Sequence, residues 1–274
     1  MTVYTFGTPG AIRLYVELGK GRLDVTANDT DTTTVTVEGD DPDEVRVTRE
    51  GDLVSVVAPR DRGLFGLGGK GHSVAVTLPE GSAMRAQTGS ADVAAVGALG
   101  TAQVKTGSGE LDLDRVTGAA ELATGSGDIA VGRVGGRLGV KTGSGDIRIV
   151  EADGTVRVST GSGDVQLDHT TDAVEVKTGS GDLRIGTASG EIAMATGSGD
   201  LEIRALTRGR LVGKGASGDI RIGVPAGTPV WTDLSTVSGQ IRSGLKGAGQ
   251  PAEGQDHVEL RARTVSGDIT LIEA

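Results

Sequence analysis

The chain has 274 residues, 47 of them glycine, only five aromatic side chains (Tyr4, Phe6, Tyr15, Phe65 and Trp231), no cysteine and a formal charge of −10. Without cysteine there is no disulfide framework and no thiolate nucleophile or metal ligand, and the negative charge argues against a nucleic-acid partner. The glycines do not recur at every third position and there are only seven prolines, which excludes collagen.

Along the chain, no apolar run approaches eighteen residues, so no membrane insertion is expected. The first ten residues lack a basic region followed by an apolar stretch, and the expected location is cytoplasmic. Residues 1–79 carry short alternating runs, among them Val35, Thr36 and Val37; Val45, Arg46 and Val47; and Val54, Ser55 and Val56. These predict strands, either as degenerate wide coils or as a small sheet that caps the repeats beyond residue 80. Residues 63–72 contain Gly-Lys, but Gly71 stands where a phosphate loop needs Ser or Thr, so a glycine-rich hairpin loop is the simpler reading.

Residues 80–214 are periodic. Thr-Gly-Ser-Gly-Asp, with small variations, begins at Thr88, Thr106, Thr124, Thr142, Thr160, Thr178 and Thr196, each eighteen residues after the last. The acidic position recurs with the same period, at Asp92, Glu110, Asp128, Asp146, Asp164, Asp182 and Asp200. After it come Ile147, Arg148 and Ile149, or Val165, Gln166 and Leu167, which alternate with the period of a strand that buries one face. Nine residues later a second alternating triplet appears, such as Val156, Arg157 and Val158, so each repeat holds two strands and two glycine-containing turns. A nine-residue offset rules out the three-sided hexapeptide coil. Return of one residue type to one slot seven times predicts stacked coils.

The fold class predicted is therefore all-β: a single-stranded β-solenoid of eighteen residues per coil with two main strands, right-handed by the crossover rule. It should form one domain over 1–274, with degenerate coils at 1–79, regular coils at 80–214 and irregular coils at 215–274. No proline lies between 80 and 224, as continuous ladders require. The column Ala102, Ala120, Leu138, Val156, Val174 and Ile192 predicts slimmer early coils. Beyond 214 the motif returns at Gly215, Thr236 and Thr264 with spacings of 19, 21 and 28. Trp231 and residues 244–254 are expected to cover the last coils.

The turns supply the candidate site residues. Thr106, Ser108, Asp128, Thr142, Ser144, Asp146, Thr160, Ser162, Asp164, Thr178, Ser180, Asp182 and Asp200 should form a structural ladder along one edge. Carboxylates about 4.8 Å apart repel by roughly 0.9 kcal/mol per pair in water, so turn amides or serine hydroxyls should bind them. A row of calcium ions on Asp128, Asp146, Asp164, Asp182 and Asp200 is the alternative; against it, the opposite turn has no regular acidic partner. The serines never occur as Gly-x-Ser-x-Gly, and His72, His169 and His257 do not recur with them. No catalytic residue, resident metal or cofactor is expected. Outward Lys105, Lys141, Lys177, Arg148 and Arg184 alternate with Glu121, Glu175 and Glu202, as on a solvated face.

The repeats, the entry Leu78, Pro79, Glu80 and Gly81, and the closing run from Arg263 to Leu271 resemble the bacterial "putative adhesin" β-strand-repeat family, a domain of unknown function in actinobacteria and firmicutes. That resemblance, covering about residues 10–274, implies a β-solenoid and, in some relatives, association with the envelope; it carries over no catalytic residue. The expected function is a non-enzymatic, monomeric scaffold that presents flat faces to a protein or cell-envelope component. A calcium-dependent surface adhesin and an end-to-end filament are the alternatives.

Overall fold

The computed structural model describes residues 1–39, 41–59, 71–247, 249 and 254–274. Phe65 and all but the last two residues of the glycine-rich segment 63–72 lie outside them, as do five positions of 244–254. Among the described residues the fold is all-β, with a single short 3-10 turn at Pro42–Glu44. It divides into two compact units, Met1–Arg137 and Leu138–Ala274.

The alternation that predicts strands is what the backbone does. In the second unit, β14 (Leu138–Thr142), β16 (Val156–Thr160) and β18 (Val174–Ser180) lie side by side and parallel. Leu138 faces Val156 and Val156 faces Val174, each eighteen residues on. On the other side β15 (Ile147–Ala152), β17 (Val165–Thr170) and the first half of β19 (Leu183–Ser198) form an equivalent ladder, in which Ile147 pairs with Val165 and Val165 with Leu183. Equivalent side chains stack, and the inward ones are fully buried: Ile147, Ile149, Val156 and Val158 are at most 3% exposed.

One buried column breaks the simple alternation. The register beyond Ile149 stays at eighteen, with Glu151 opposite His169 and Ala152 opposite Thr170. Two outward residues, Val150 and Glu151, are followed by a buried Ala152. The alternation is interrupted by one residue there, and the inner surface stays covered. Val116, Val134, Ala152, Thr170, Ala188 and Leu206 occupy this place in successive repeats, all buried.

The layers of the second unit do not follow chain order. β20 (Leu201–Ser217) pairs with β24 (Val258–Ser266), and β24 pairs in turn with β22 (Val230–Ser238). On the other face β21 (Ile220–Val224) pairs with β25 (Ile269–Glu273), and β25 with β23 (Ile241–Ser243). The last strands in sequence sit inside the stack, and the strands before them form its final layer. The odd spacings of the motif beyond residue 214 are explained by this order, since Ser217 and Ser238 both face Ser266. Trp231, expected over the end of the core, stands on an outward slot of β22 at 50% exposure, with the Arg261 guanidinium 5.1 Å from its ring centre.

The first unit uses the same device. β2 (Arg13–Leu18) lies between β6 (Leu53–Val57) and β8 (Ala83–Thr88), parallel to both. β3 (Lys20–Asn28) lies between β7 (Gly71–Pro79) and β9 (Asp92–Leu99). Beyond this layer the pairing turns antiparallel: β5 (Arg46–Glu50) adds to β6, while β4 (Thr32–Gly39) adds to β7 and β1 (Thr2–Gly7) to β4. Residues 1–79 thus contribute both strands paired in parallel with later ones and an antiparallel sheet. Inward from β8, β10 (Thr101–Thr106) and β12 (Ala120–Ala123) continue one ladder; from β9, β11 (Leu111–Val116) and β13 (Ile129–Val134) continue the other.

Ile149 and Val150 are neighbours with opposite fates, and they test this packing. Ile149→Ala should lower unfolding free energy by about 2–5 kcal/mol, as for a large-to-small change in a core. Val150→Ala, on the outer surface, should stay within about 0.5 kcal/mol. Denaturant titration of the two variants measures the difference.

Candidate functional site

The Thr-Gly-Ser-Gly-Asp turns collect along one edge of each unit, and their geometry starts with threonine. Its side chain points inward and is buried, and its Oγ1 accepts a hydrogen bond from the amide three residues on. The donors are Gly109 to Thr106 and Gly127 to Thr124, both at 3.0 Å, and Gly145 to Thr142 and Gly163 to Thr160, both at 3.1 Å. This closes the turn from inside.

The second glycine is required by the layer below. A Cβ on Gly127 would fall on the carbonyl oxygen of Gly109, and one on Gly163 on that of Gly145. Neither glycine has a left-handed backbone; what excludes a side chain is the closeness of the neighbouring coil. In later repeats the turn opens. The Gly181 amide donates to the Ser198 carbonyl at 3.1 Å, and the buried Oγ1 atoms of Thr178 and Thr196 are left without a partner.

The carboxylates are held between coils. Asp146 Oδ1 accepts from the Asp164 amide, Asp164 Oδ1 from the Asp182 amide and Asp182 Oδ1 from the Asp200 amide, each at 2.9 Å. The chain continues from Asp200 to the Asp219 amide, from Asp219 to the Asp268 amide and from Asp268 to the Gln240 amide, all at 2.8 Å. In the first unit Asp92 Oδ1 binds the Glu110 amide at 3.0 Å. The ladder thus keeps the spatial order of the layers even where sequence order departs from it. Each bond places a backbone donor against a negative charge, which offsets the repulsion between neighbouring carboxylates.

Arginines add to this. Arg184 reaches Asp182 at 2.7 Å and Asp164 at 3.3 Å, bridging two rungs, and Arg242 reaches Asp268 at 3.2 Å. The sequence pattern places Arg184 on the outward face without connecting it to the ladder. The signal for that connection is its position two residues after an aspartate, which in a strand is the next outward slot. Ser108, Ser144, Ser162 and Ser180 are exposed at the outermost point of the edge. On the flat faces, Glu175 is held below the usual carboxylate range by hydrogen bonding and charge from Lys177, with a smaller effect of Arg157. Asp52, in the first unit, is lowered by its hydrogen bond with Arg13.

Away from the ladder, a cleft of about 650 Å³ in the second unit is lined by Glu191, Arg208, Arg210, Asp256, His257 and Glu259. Its charges face one another loosely, at 3.9 Å for Arg208 and Asp256 and 3.8 Å for Arg210 and Glu259. A groove of about 440 Å³ in the first unit runs past Tyr15, Arg85, Gln103 and Glu121. His72 is buried with Nε2 unpartnered, whereas His169 and His257 are exposed, so the three histidines are not brought together. Among the described residues, no three acidic or histidine side chains converge as metal ligands would, and no helix is long and apolar enough to cross a membrane.

A family model described as Toastrack DUF4097 matches residues 12–185 and again 154–272. Among solved structures, the chain is similar to a "putative lipid binding protein" from Parabacteroides distasonis, with 13% identity, coverage of 99% of this chain and 96% of that one, and a TM-score of 0.48. It is similar also to a "putative adhesin" from Bacteroides fragilis, with 12% identity, the same coverages and a TM-score of 0.37. A second "putative adhesin" from Parabacteroides distasonis has 15% identity, again 99% and 96% coverage, and a TM-score of 0.39. No curated protein matches the chain.

Asp182 and Ser162 separate the structural role of the edge from a role in binding. Asp182→Ala removes the acceptor for the Asp200 amide and a partner of Arg184, and should destabilise by about 1–2 kcal/mol. Ser162→Ala should change stability by less than about 0.5 kcal/mol. Thermal and urea unfolding of both variants provide the comparison.

Proposed function

The chain belongs to the Toastrack DUF4097 family, and from that premise we propose that it is a non-enzymatic, adhesin-like scaffold. It presents flat strand faces to a protein or envelope component. In this reading the polypeptide winds as a right-handed solenoid of eighteen-residue coils, the hand that twisted parallel strands favour in a crossover. Supporting the assignment is the way the edge groups are used. Threonine hydroxyls close turns, and one oxygen of each rung from Asp146 to Asp200 binds the next coil, so the most regular polar groups are committed to holding layers together.

The strand faces are the surface left for recognition. Arg148, Lys177 and Arg184 project from them and are more than half exposed even in their ion pairs. Exposed pairs of this kind contribute little to stability, so they can exchange one carboxylate partner for another at small cost. Binding would then be spread over several slots and would weaken with salt.

Two measurements test the reading. Capture from the native host with the intact protein and with a variant carrying Lys141→Gln, Arg148→Gln, Lys177→Gln and Arg184→Gln should show at least about a tenfold loss of the bound partner, as expected when several charge contacts are removed. Equal capture by the two proteins would reject the face, and hydrolysis of a test substrate that a single Asp or His change abolishes would reject the non-enzymatic assignment. The melting midpoint should be the same with calcium as with chelator. A rise with calcium would show the carboxylate edge to be an ion site instead.

A further inference from the structure

The final layer of the second unit ends in the nine-residue β22, which pairs with β24 on one side. Among the described residues nothing is paired with its other side. An unpaired strand edge is a template for another strand, and proteins usually blunt such edges with charge. β5, an edge strand of the first unit, carries Arg46, Arg49 and Glu50 within five residues. β22 carries one charge, Asp233, and presents Trp231 at 50% and Val237 at 83% exposure, with Leu234 half-buried between them.

The arrangement along β22 is symmetric. Trp231 lies three residues before Leu234 and Val237 three after it, and both belong to the outward set with Asp233 and Ser235. We infer that β22 pairs with β22 of a second copy of this chain, antiparallel about a two-fold axis at Leu234. In that register Trp231 faces Val237 of the other copy, Thr232 faces Thr236, Asp233 faces Ser235, and Leu234 meets itself. The two large exposed apolar side chains of the strand cover one another. No like charges meet across the axis: the single acid stands opposite a serine. Behind that serine, one strand further in, is Arg263 of the other copy, because Ser235 and Arg263 are register partners. Asp233 already pairs with its own Arg263 at 3.4 Å, so charges alternate across the join.

Two-fold pairing makes the strands antiparallel, although every other neighbour of this layer is parallel. It also closes. Each copy uses its β22 once, so the contact ends at a dimer and does not propagate as a filament.

Sedimentation of the intact protein at rising concentration should approach twice the 27.6 kDa chain mass, with a blue shift in emission from Trp231, the single tryptophan. Leu234→Arg places two like charges on the axis and should return the chain mass with an unchanged far-UV spectrum. Cysteine variants read the register directly, since the natural chain has none. Paired positions across an antiparallel join are about 4.5–5.5 Å apart, within disulfide reach. Trp231→Cys and Val237→Cys should each fail to cross-link alone, because each residue would lie about 20 Å from its own copy. Mixed together and oxidised, they should yield a covalent dimer, as should Leu234→Cys alone. A chain that stays monomeric at every concentration overturns the inference. So does a dimer that Leu234→Arg leaves intact, or cross-linking by the single variants but not the mixture.

Discussion

The structure depends on how closely one coil's turn approaches the next. At the second glycine of the turn, the carbonyl oxygen of the layer below occupies the place of a Cβ, as Gly145 does for Gly163. Within the turns at Thr106, Thr124, Thr142 and Thr160, a buried threonine closes the loop from inside. The close approach of the coils puts the amide of Asp164 in reach of the Asp146 carboxylate. An alanine at such a position would force the layers apart, and the carboxylate-to-amide bonds, which act between layers, would lengthen with them. Glycine abundance here is a consequence of stacking more than of unusual backbone angles.

The carboxylate ladder shows how an apparently costly array becomes a structural one. Equal charges at strand spacing repel, but each oxygen that faces the next coil meets a peptide N–H, and Arg184 neutralises two rungs at once. Regularity, which makes the motif conspicuous, is also what commits its polar groups. The faces differ: their side chains vary from layer to layer, as in Arg157, Glu175, Ala193 and Val212 along one row, and variation of that kind is where selectivity for a partner can reside.

Both units hold strands from near an end of the sequence one layer in from the limit of the stack, although β1 itself adds to β4 on the outside. β2 and β3 lie between later strands, and β24 and β25 lie behind earlier ones. A terminal segment held on both edges cannot fray without breaking two ladders, whereas one on the outside would break only one. In the second unit the final layer is then a connected segment inside the chain, and it is left with an edge of low charge.

Much of this was legible from residues alone. Period eighteen and the alternation in Ile147, Arg148 and Ile149 determined the strands and which of their faces is inward, and the return of identical residues determined that Ile147 and Val165 would be neighbours. The buried column through Val116, Val134 and Ala152 keeps the same period, but a break in strict alternation masks it, because two outward residues precede each buried one. Layer order at the two ends was decided by tertiary structure. Any coil with the right inward pattern can pair with any other, so local pattern specifies what fits in a layer but not which layer it joins. The partner of each carboxylate was decided in the same way, because an aspartate binds whichever amide lies in the adjacent coil, and adjacency is a property of the folded stack.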